Sequence, residues 1–222
     1  MKALLIAGGH VDIQWASGFV KQHRYDLIVA VDGGLSTANL LGCTPDIIVG
    51  DFDTVDSETL AQYDEKATII RLKPEKDDTD SQYAMKLLIE RSVTDVDILG
   101  GTGRRMDHTM VNIYNLQMAH DSGVRATMYD PYNKMYIIEG DVSLQRDEAY
   151  GRYISFMQLT PAVKDVTLQG FKYNVEHYDF VMSGEYRAGC SNEFESDMAT
   201  VHIGQGRLLV IEVSEDKDER DT

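Results

Sequence analysis

Up to Asp130-Pro131, short β-branched apolar runs alternate with helical patterns, and this alternation limits the fold more than any other feature of the chain. The runs are Ala3 to Ala7, Leu27 to Val31, Ile47 to Val49, Thr68 to Leu72, Val96 to Leu99 and Ala126 to Tyr129. Most are apolar throughout, as strands covered on both faces are. Between them, Thr79 to Arg91 carries Ala84, Leu87, Leu88 and Arg91 at i, i+3, i+4 and i+7, with Asp80 placed where the helix dipole favours a carboxylate. Asp107 to His120 sets Met110, Ile113, Tyr114 and Met118 on one face. The βαβ rhythm predicts an α/β fold with a mostly parallel, Rossmann-like sheet and helices on both faces.

Beyond Asp130-Pro131 the rhythm changes. Short alternating runs (Lys134 to Glu139, Tyr153 to Leu159, Lys164 to Leu168, Ala199 to Ile203, Arg207 to Val213) are punctuated by glycines, and no helix of three turns is evident. This half reads as a small C-terminal antiparallel β-sandwich or barrel. The expected organisation is an α/β domain over residues 1–132, a β-sandwich over 133–214 and an acidic, solvated tail over 215–222.

A net charge of −16 over 222 residues argues against nucleic acid or an anionic membrane surface as partner, because phosphate backbones are held by clustered Lys and Arg. Any phosphate ligand must therefore bring cations with it. No stretch approaches the ~18 consecutive apolar residues of a membrane span, and Met1 to Ala7 reads as a strand and not as a signal peptide. A cytoplasmic location is the expectation. Cys43 and Cys190 stand alone, without CxxC or His-rich neighbours, and read as ordinary buried or half-buried thiols.

Three carboxylate-bearing clusters each follow an apolar run, and strand ends in a parallel sheet converge on one crevice. In Gly50-Asp51-Phe52-Asp53 an extended backbone would point Asp51 and Asp53 to one side, toward a hard cation, and turn Phe52 inward. In Lys76-Asp77-Asp78-Thr79-Asp80, Asp77 and Asp80 flank a helix start, Thr79 offers a cap, and Lys73 and Lys76 suit phosphate oxygens. In Gly101-Thr102-Gly103-Arg104-Arg105-Met106-Asp107-His108, glycines allow a backbone to approach a phosphate at a helix start, where Arg105, Asp107 and His108 add three polar side chains. Taken singly, these are an Asp-rich turn, a helix cap and a first helical turn; taken together they suit metal-assisted phosphate chemistry. Neither a Walker phosphate loop nor a GxGxxG fingerprint occurs.

The order of these three motifs, followed by an all-β second half, resembles the thiamine pyrophosphokinase family over nearly the whole chain. The resemblance implies an α/β nucleotide-binding domain, a β-sandwich that binds thiamine, and a homodimer with thiamine at the subunit interface. It implies that Asp51, Asp53, Asp77 and Asp80 bind Mg²⁺ and act in catalysis with Arg105, and that Lys76, Thr79, Gly101, Gly103 and Arg104 lie at ATP. Asp107 and His108 match the family's Gly-Gly-Arg-x-Asp-His, from which the chain departs by having Arg104 for the second Gly. Gly170-Phe171-Lys172-Tyr173 resembles the segment whose aromatic residue stacks on thiamine, and Ser191-Asn192 resembles a segment near the substrate. For Tyr173 a half-exposed strand aromatic is an equal alternative.

The implied reaction is attack of the thiamine hydroxyl on the β-phosphorus of ATP, giving thiamine diphosphate and AMP. Two other readings stand beside it. One is a pyrophosphokinase for another heterocyclic alcohol, such as a hydroxymethylpterin, against which Gly170 to Tyr173 and Ser191-Asn192 argue. The other is a non-catalytic nucleotide- or thiamine-sensing protein, which would not need four metal-type carboxylates.

Overall fold

The computed structural model describes residues 1–52, 57–73, 77–181 and 189–214, without the side chains of Ser57 and Glu58. Asp53, Lys76 and the acidic tail lie outside these residues. The chain divides into two compact units, Met1–Pro131 and the residues from Tyr132 onward.

The first unit runs β1 (Lys2–Ile6), α1 (Ile13–Gln22), β2 (Leu27–Val31), α2 (Gly34–Leu41), β3 (Ile47–Gly50), α3 (Ser57–Ala61), β4 (Thr68–Arg71), α4 (Asp80–Glu90), β5 (Asp95–Leu99), α5 (Met106–Asp121) and β6 (Arg125–Tyr129). Its strands lie in the order β6-β5-β1-β2-β3-β4, and each adjacent pair is parallel. Alternation along β1 explains the continuous apolar runs. Leu4 and Ile6 enter a core with Ala16 of α1 and with Leu35 and Ala38 of α2. Ala3 and Leu5, pointing to the other face, are just as buried. Each fully buried Leu or Ile contributes about 1.5–3 kcal/mol. β4 differs from the expectation of burial on both faces: it is the edge strand, and Thr68 and Arg71 are exposed.

From β1 the chain builds outward through β2, β3 and β4, then returns to the other side of β1 with β5 and β6. Connections therefore leave β1 and β5 in opposite directions, and a parallel sheet opens a crevice at the carboxyl ends of such a pair.

Helix α5 corrects the expected face. Met110 is 44 % and Tyr114 53 % exposed, whereas Asn112, Ile113, Asn115, Leu116 and Ala119 point inward. Two buried amides hid the true inward stripe from an apolar periodicity.

The second unit contains β7 (Asn133–Ile138), β8 (Val142–Gln145), β9 (Tyr153–Gln158), β10 (Ala162–Gln169), β11 (Val175–Val181), β12 (Gly189–Glu193), β13 (Met198–Gln205) and β14 (Leu208–Val213). They form two antiparallel sets, β12-β9-β14-β7 and β11-β10-β13-β8. Phe156 and Val210 of one set share a core with Val166, Phe180 and Val201 of the other. The sequence pattern left β8, β11 and β12 unassigned: β8 is four residues long, and β11 and β12 carry polar side chains at most positions, so ladder pairing and not alternation defines them. Cys43 and Cys190 are free thiols; Cys190 is exposed, contrary to expectation, because β12 lies at the end of its set. Among the described residues no helix is long and apolar enough to cross a membrane.

Candidate active site

A cleft of about 640 Å³ opens in the first unit at the carboxyl ends of β1, β2 and β5. Its floor is made of backbone. Ala7 donates its N–H to Leu99 O at 2.8 Å, and Gly9 donates to Gly100 O at 3.0 Å. A Cβ on Gly9 would lie 2.3 Å from Gly100 O and 2.4 Å from Thr102 O, so no side chain fits between the two loops. Gly100 itself has φ 68°, a conformation that glycine adopts without strain.

One wall is the start of α4. Thr79 caps that helix, accepting the N–H of Gln82 at 3.2 Å, while the Gln82 side chain accepts the N–H of Thr79 at 3.0 Å. Thr79, Asp80 and Ser81 thus face the cleft at the positive end of a helix dipole. The opposing wall is the loop from Gly101 to Arg105, continued by His108 on the first turn of α5. The Arg105 guanidinium forks onto Asp107, with Nε at 3.2 Å from Oδ1 and Nη2 at 2.6 Å from Oδ2. The pair is largely exposed, and its hydrogen bonds hold the Asp107 carboxyl below the usual carboxylate range. The fork uses two of the five guanidinium N–H groups.

The structure therefore brings Thr79, Asp80, Gly101, Gly103, Arg104, Arg105 and His108 to one cleft. Asp107 is tied to it through Arg105. Asp51, half-buried at the end of β3, and the exposed Asp77 are not among the cleft-lining residues. Phe52 points inward, as expected, under the Arg71 guanidinium. The backbone around it is not extended, however: Phe52 has φ 57°, so the same-side placement expected of Asp51 and Asp53 does not follow from alternation.

Sequence reasoning missed several cleft residues. Asp32, directly after β2, sits at φ 45° with Oδ1 so close over Gly50 that a Cβ there would overlap it. The Asp32 carboxylate thus stands beside the start of Gly50-Asp51. Gly8, Gly9 and His10 were also passed over. The legible signal was a pair of glycine doublets, Gly8-Gly9 and Gly33-Gly34, each close behind an apolar strand, as Gly100-Gly101 is. Among the described residues no group of three or more His, Cys, Asp and Glu side chains is drawn together as for a metal ion.

In the second unit, Tyr173 is 59 % exposed, with the Lys172 ammonium 5.6 Å from its ring centroid. Asn192 is buried and its amide is engaged by Tyr173: Oδ1 accepts the Tyr173 N–H at 2.9 Å, and Nδ2 donates to the Tyr173 carbonyl at 2.8 Å. Ser191 adopts φ 55° at a register shift in β12, its N–H donated to Ser155 Oγ at 3.0 Å. Glu193 accepts from Arg152 at 2.9 Å and Lys172 at 3.0 Å, and these bonds keep its carboxyl below its usual value.

Comparison with known proteins decides what this arrangement belongs to. Residues 21–128 match the thiamin pyrophosphokinase catalytic domain, and residues 141–208 match the thiamin pyrophosphokinase vitamin B1 binding domain. The chain belongs to the thiamin pyrophosphokinase family. It is 28% identical over 210 residues to thiamine pyrophosphokinase of Bacillus subtilis (strain 168), covering 93% of this chain and 96% of that protein. The crystal structure of a thiamin pyrophosphokinase family protein from Enterococcus faecalis superposes with a TM-score of 0.80 at 27% identity, over 98% of this chain and 100% of that one. The fold is also that of the Bacillus subtilis thiamine pyrophosphokinase crystal structure, with a TM-score of 0.84 at 24% identity over 97% of this chain and 100% of the other. The Gly101 loop, the start of α4 and the Arg105–Asp107 fork lie in the segment matched by the thiamin pyrophosphokinase catalytic domain, and Gly8-Gly9 precedes it.

Proposed function

We propose that this chain transfers the pyrophosphoryl group of ATP to the hydroxyl of thiamine, giving thiamine diphosphate and AMP. The observation that carries the reading is the cleft at the carboxyl ends of β1 and β5, with backbone floor, Asp80 on one wall and Arg104, Arg105 and His108 on the other, inside a chain that matches both domains of the family. In this reading the first unit is a Rossmann-like ATP-binding domain and the second a β-sandwich that takes thiamine.

The thiamine hydroxyl oxygen forms a bond to the β-phosphorus, the bond from that phosphorus to the α–β bridging oxygen breaks, AMP leaves with that oxygen, and the hydroxyl proton passes to solvent. Negative charge spreads over phosphate oxygens as this happens, so positioning and preorganised donors dominate catalysis. The dipole of capped α4 and the guanidinium groups of Arg104 and Arg105 supply them, with Lys76 as a further cation. Glycine backbone at Gly101 and Gly103 admits the phosphates closely.

Mg²⁺ fits the donor set, because Asp51, Asp53, Asp77 and Asp80 offer only hard carboxylate oxygens, and Asp32 adds another over Gly50. When bound, the ion neutralises phosphate charge. Tyr173 is the stacking partner for thiamine, Ser191 lies at the substrate, and Asn192 acts by fixing the Tyr173 backbone and not by touching substrate. Asp107 and His108 face thiamine in the same reading. The active form is a homodimer with thiamine at the subunit interface, and use of ATP supports a cytoplasmic location.

The test is incubation of the purified protein with Mg²⁺, ATP and thiamine, followed by phosphorus NMR. Thiamine diphosphate and AMP appear in equal amounts. ADP with thiamine monophosphate overturns the reading, and turnover of a hydroxymethylpterin without turnover of thiamine replaces the acceptor.

A further inference from the structure

We infer that Asn112 and Asn115 are positioning residues that fix the distance between the two walls of the cleft through a buried chain of hydrogen bonds. The inference rests on the reading of the cleft as the ATP site. Asn112 and Asn115 stand three residues apart on the inward face of α5, and they are 5 % and 1 % exposed. Asn112 Nδ2 donates to Gly101 O at 2.8 Å, which anchors one end in the loop that carries Arg104 and Arg105. Asn112 Oδ1 accepts from Asn115 Nδ2 at 3.1 Å. The same Asn115 nitrogen lies 3.3 Å from Ser81 Oγ, and Ser81 Oγ is 3.2 Å from Thr79 Oγ1, the cap of α4. The chain is unbroken from one wall to the other.

Asn115 does not line the cleft, so it meets no ligand there. Among the described residues its buried Oδ1 accepts no hydrogen bond. A buried amide with an idle acceptor is worse for stability than an apolar side chain of similar shape, and its neighbours Ile113, Leu116 and Ala119 show that apolar side chains suit this face. What the amide supplies is direction. Its Nδ2 joins Ser81 at the α4 start to Asn112, which in turn holds the Gly101 loop, and the fixed spacing sets Asp80 against Arg104 and Arg105. In-line transfer is sensitive to spacing errors of about 1 Å, which can cost ~100-fold in rate.

The test is kinetic and calorimetric. Asn115→Leu folds with a thermal midpoint lowered by the stranding of buried Asn112 Oδ1, lowers kcat at least about tenfold, leaves the KM for thiamine unchanged, and weakens binding of an ATP analogue with a methylene α–β bridge, measured calorimetrically with Mg²⁺. Ser81→Ala, which cuts the same chain nearer the surface, lowers kcat in the same way, whereas Ser81→Thr, which keeps the hydroxyl, restores it. The double variant Asn115→Leu/Ser81→Ala is no slower than the slower single one, because both break one chain. Parental kcat and analogue affinity in Asn115→Leu, or multiplying effects in the double variant, overturn the inference. Should Asn115→Leu fail to fold, equal kcat in Ser81→Ala and the parent overturns it. A parent protein that binds the analogue yet forms no thiamine diphosphate refutes the reaction instead, and the calorimetric arm still decides the positioning.

Discussion

Asn192 grips Tyr173 by both of its main-chain polar groups, its Oδ1 taking the N–H at 2.9 Å and its Nδ2 reaching the carbonyl at 2.8 Å. The tyrosine ring is left exposed while its backbone is locked by a buried side chain. Removing the clamp by Asn192→Ala takes two hydrogen bonds from the partly buried Tyr173 backbone, each contributing about 0.5–1.5 kcal/mol. The KM for thiamine then rises much as in Tyr173→Ala, and the KM for ATP stays within about twofold. Steady-state kinetics in both substrates check this; an equal rise in both constants contradicts it.

Asp80 stands on the first turn of a capped helix, at the cleft. Asp80→Asn keeps the fold, losing about 0.3–1 kcal/mol of dipole interaction. Turnover falls by about a hundredfold or more if the carboxylate holds Mg²⁺ and phosphate. A titration of the variant with Mg²⁺ checks the cause: the half-saturating concentration shifts upward relative to the parent.

Gly9 has backbone on both sides of the space a side chain would fill. Gly9→Ala forces the loops after β1 and β5 apart, with a loss of about 1–3 kcal/mol in stability. Thermal unfolding reads the loss, and affinity for an ATP analogue drops with it. Gly18→Ala, inside α1 where a Cβ meets nothing within 4 Å, is the opposite control and gains about 0.5–1 kcal/mol from helix propensity.

Acid stabilises one corner of the second unit. His202 Nδ1 lies 2.5 Å from Asp141 Oδ1, and Nε2 lies 3.8 Å from Asp165 Oδ2, so the folded imidazole holds its proton to higher pH than usual, chiefly through the Asp141 hydrogen bond. A group whose folded pKa is raised contributes fully below its unfolded value of about 6.5 and loses that contribution as pH rises through the folded value. The difference in thermal midpoint between the parent and His202→Gln is therefore largest at acid pH and shrinks above neutrality. A difference that grows with pH contradicts the assignment.

Much of this was legible in the chain. Runs such as Leu27 to Val31 announce a strand covered on both faces, and Thr79 followed by Gln82 announces a helix start. Asp32 escaped because its role depends on lying over Gly50 of the neighbouring strand, a contact that spacing along the chain does not encode. Asn112 and Asn115 escaped for the opposite reason: an inward stripe that includes amides reads as solvent-facing until their partners at Gly101 and Ser81 are in place. The strands β11 and β12 are held by ladders to β10 and β9, so their own side chains carry little periodic signal.

A floor made of peptide groups has one further consequence. Main-chain N–H and C=O groups are common to all residues but proline, so mutation cannot retune what the loops after β1 and β5 present, and steric overlap removes most changes at Gly9 before they reach the ligand. The rim is different in kind. Arg104 and His108 are exposed side chains that can be exchanged without disturbing the interlocked loops beneath. Change at the rim therefore leaves the floor intact, whereas change at the floor displaces two loops at once.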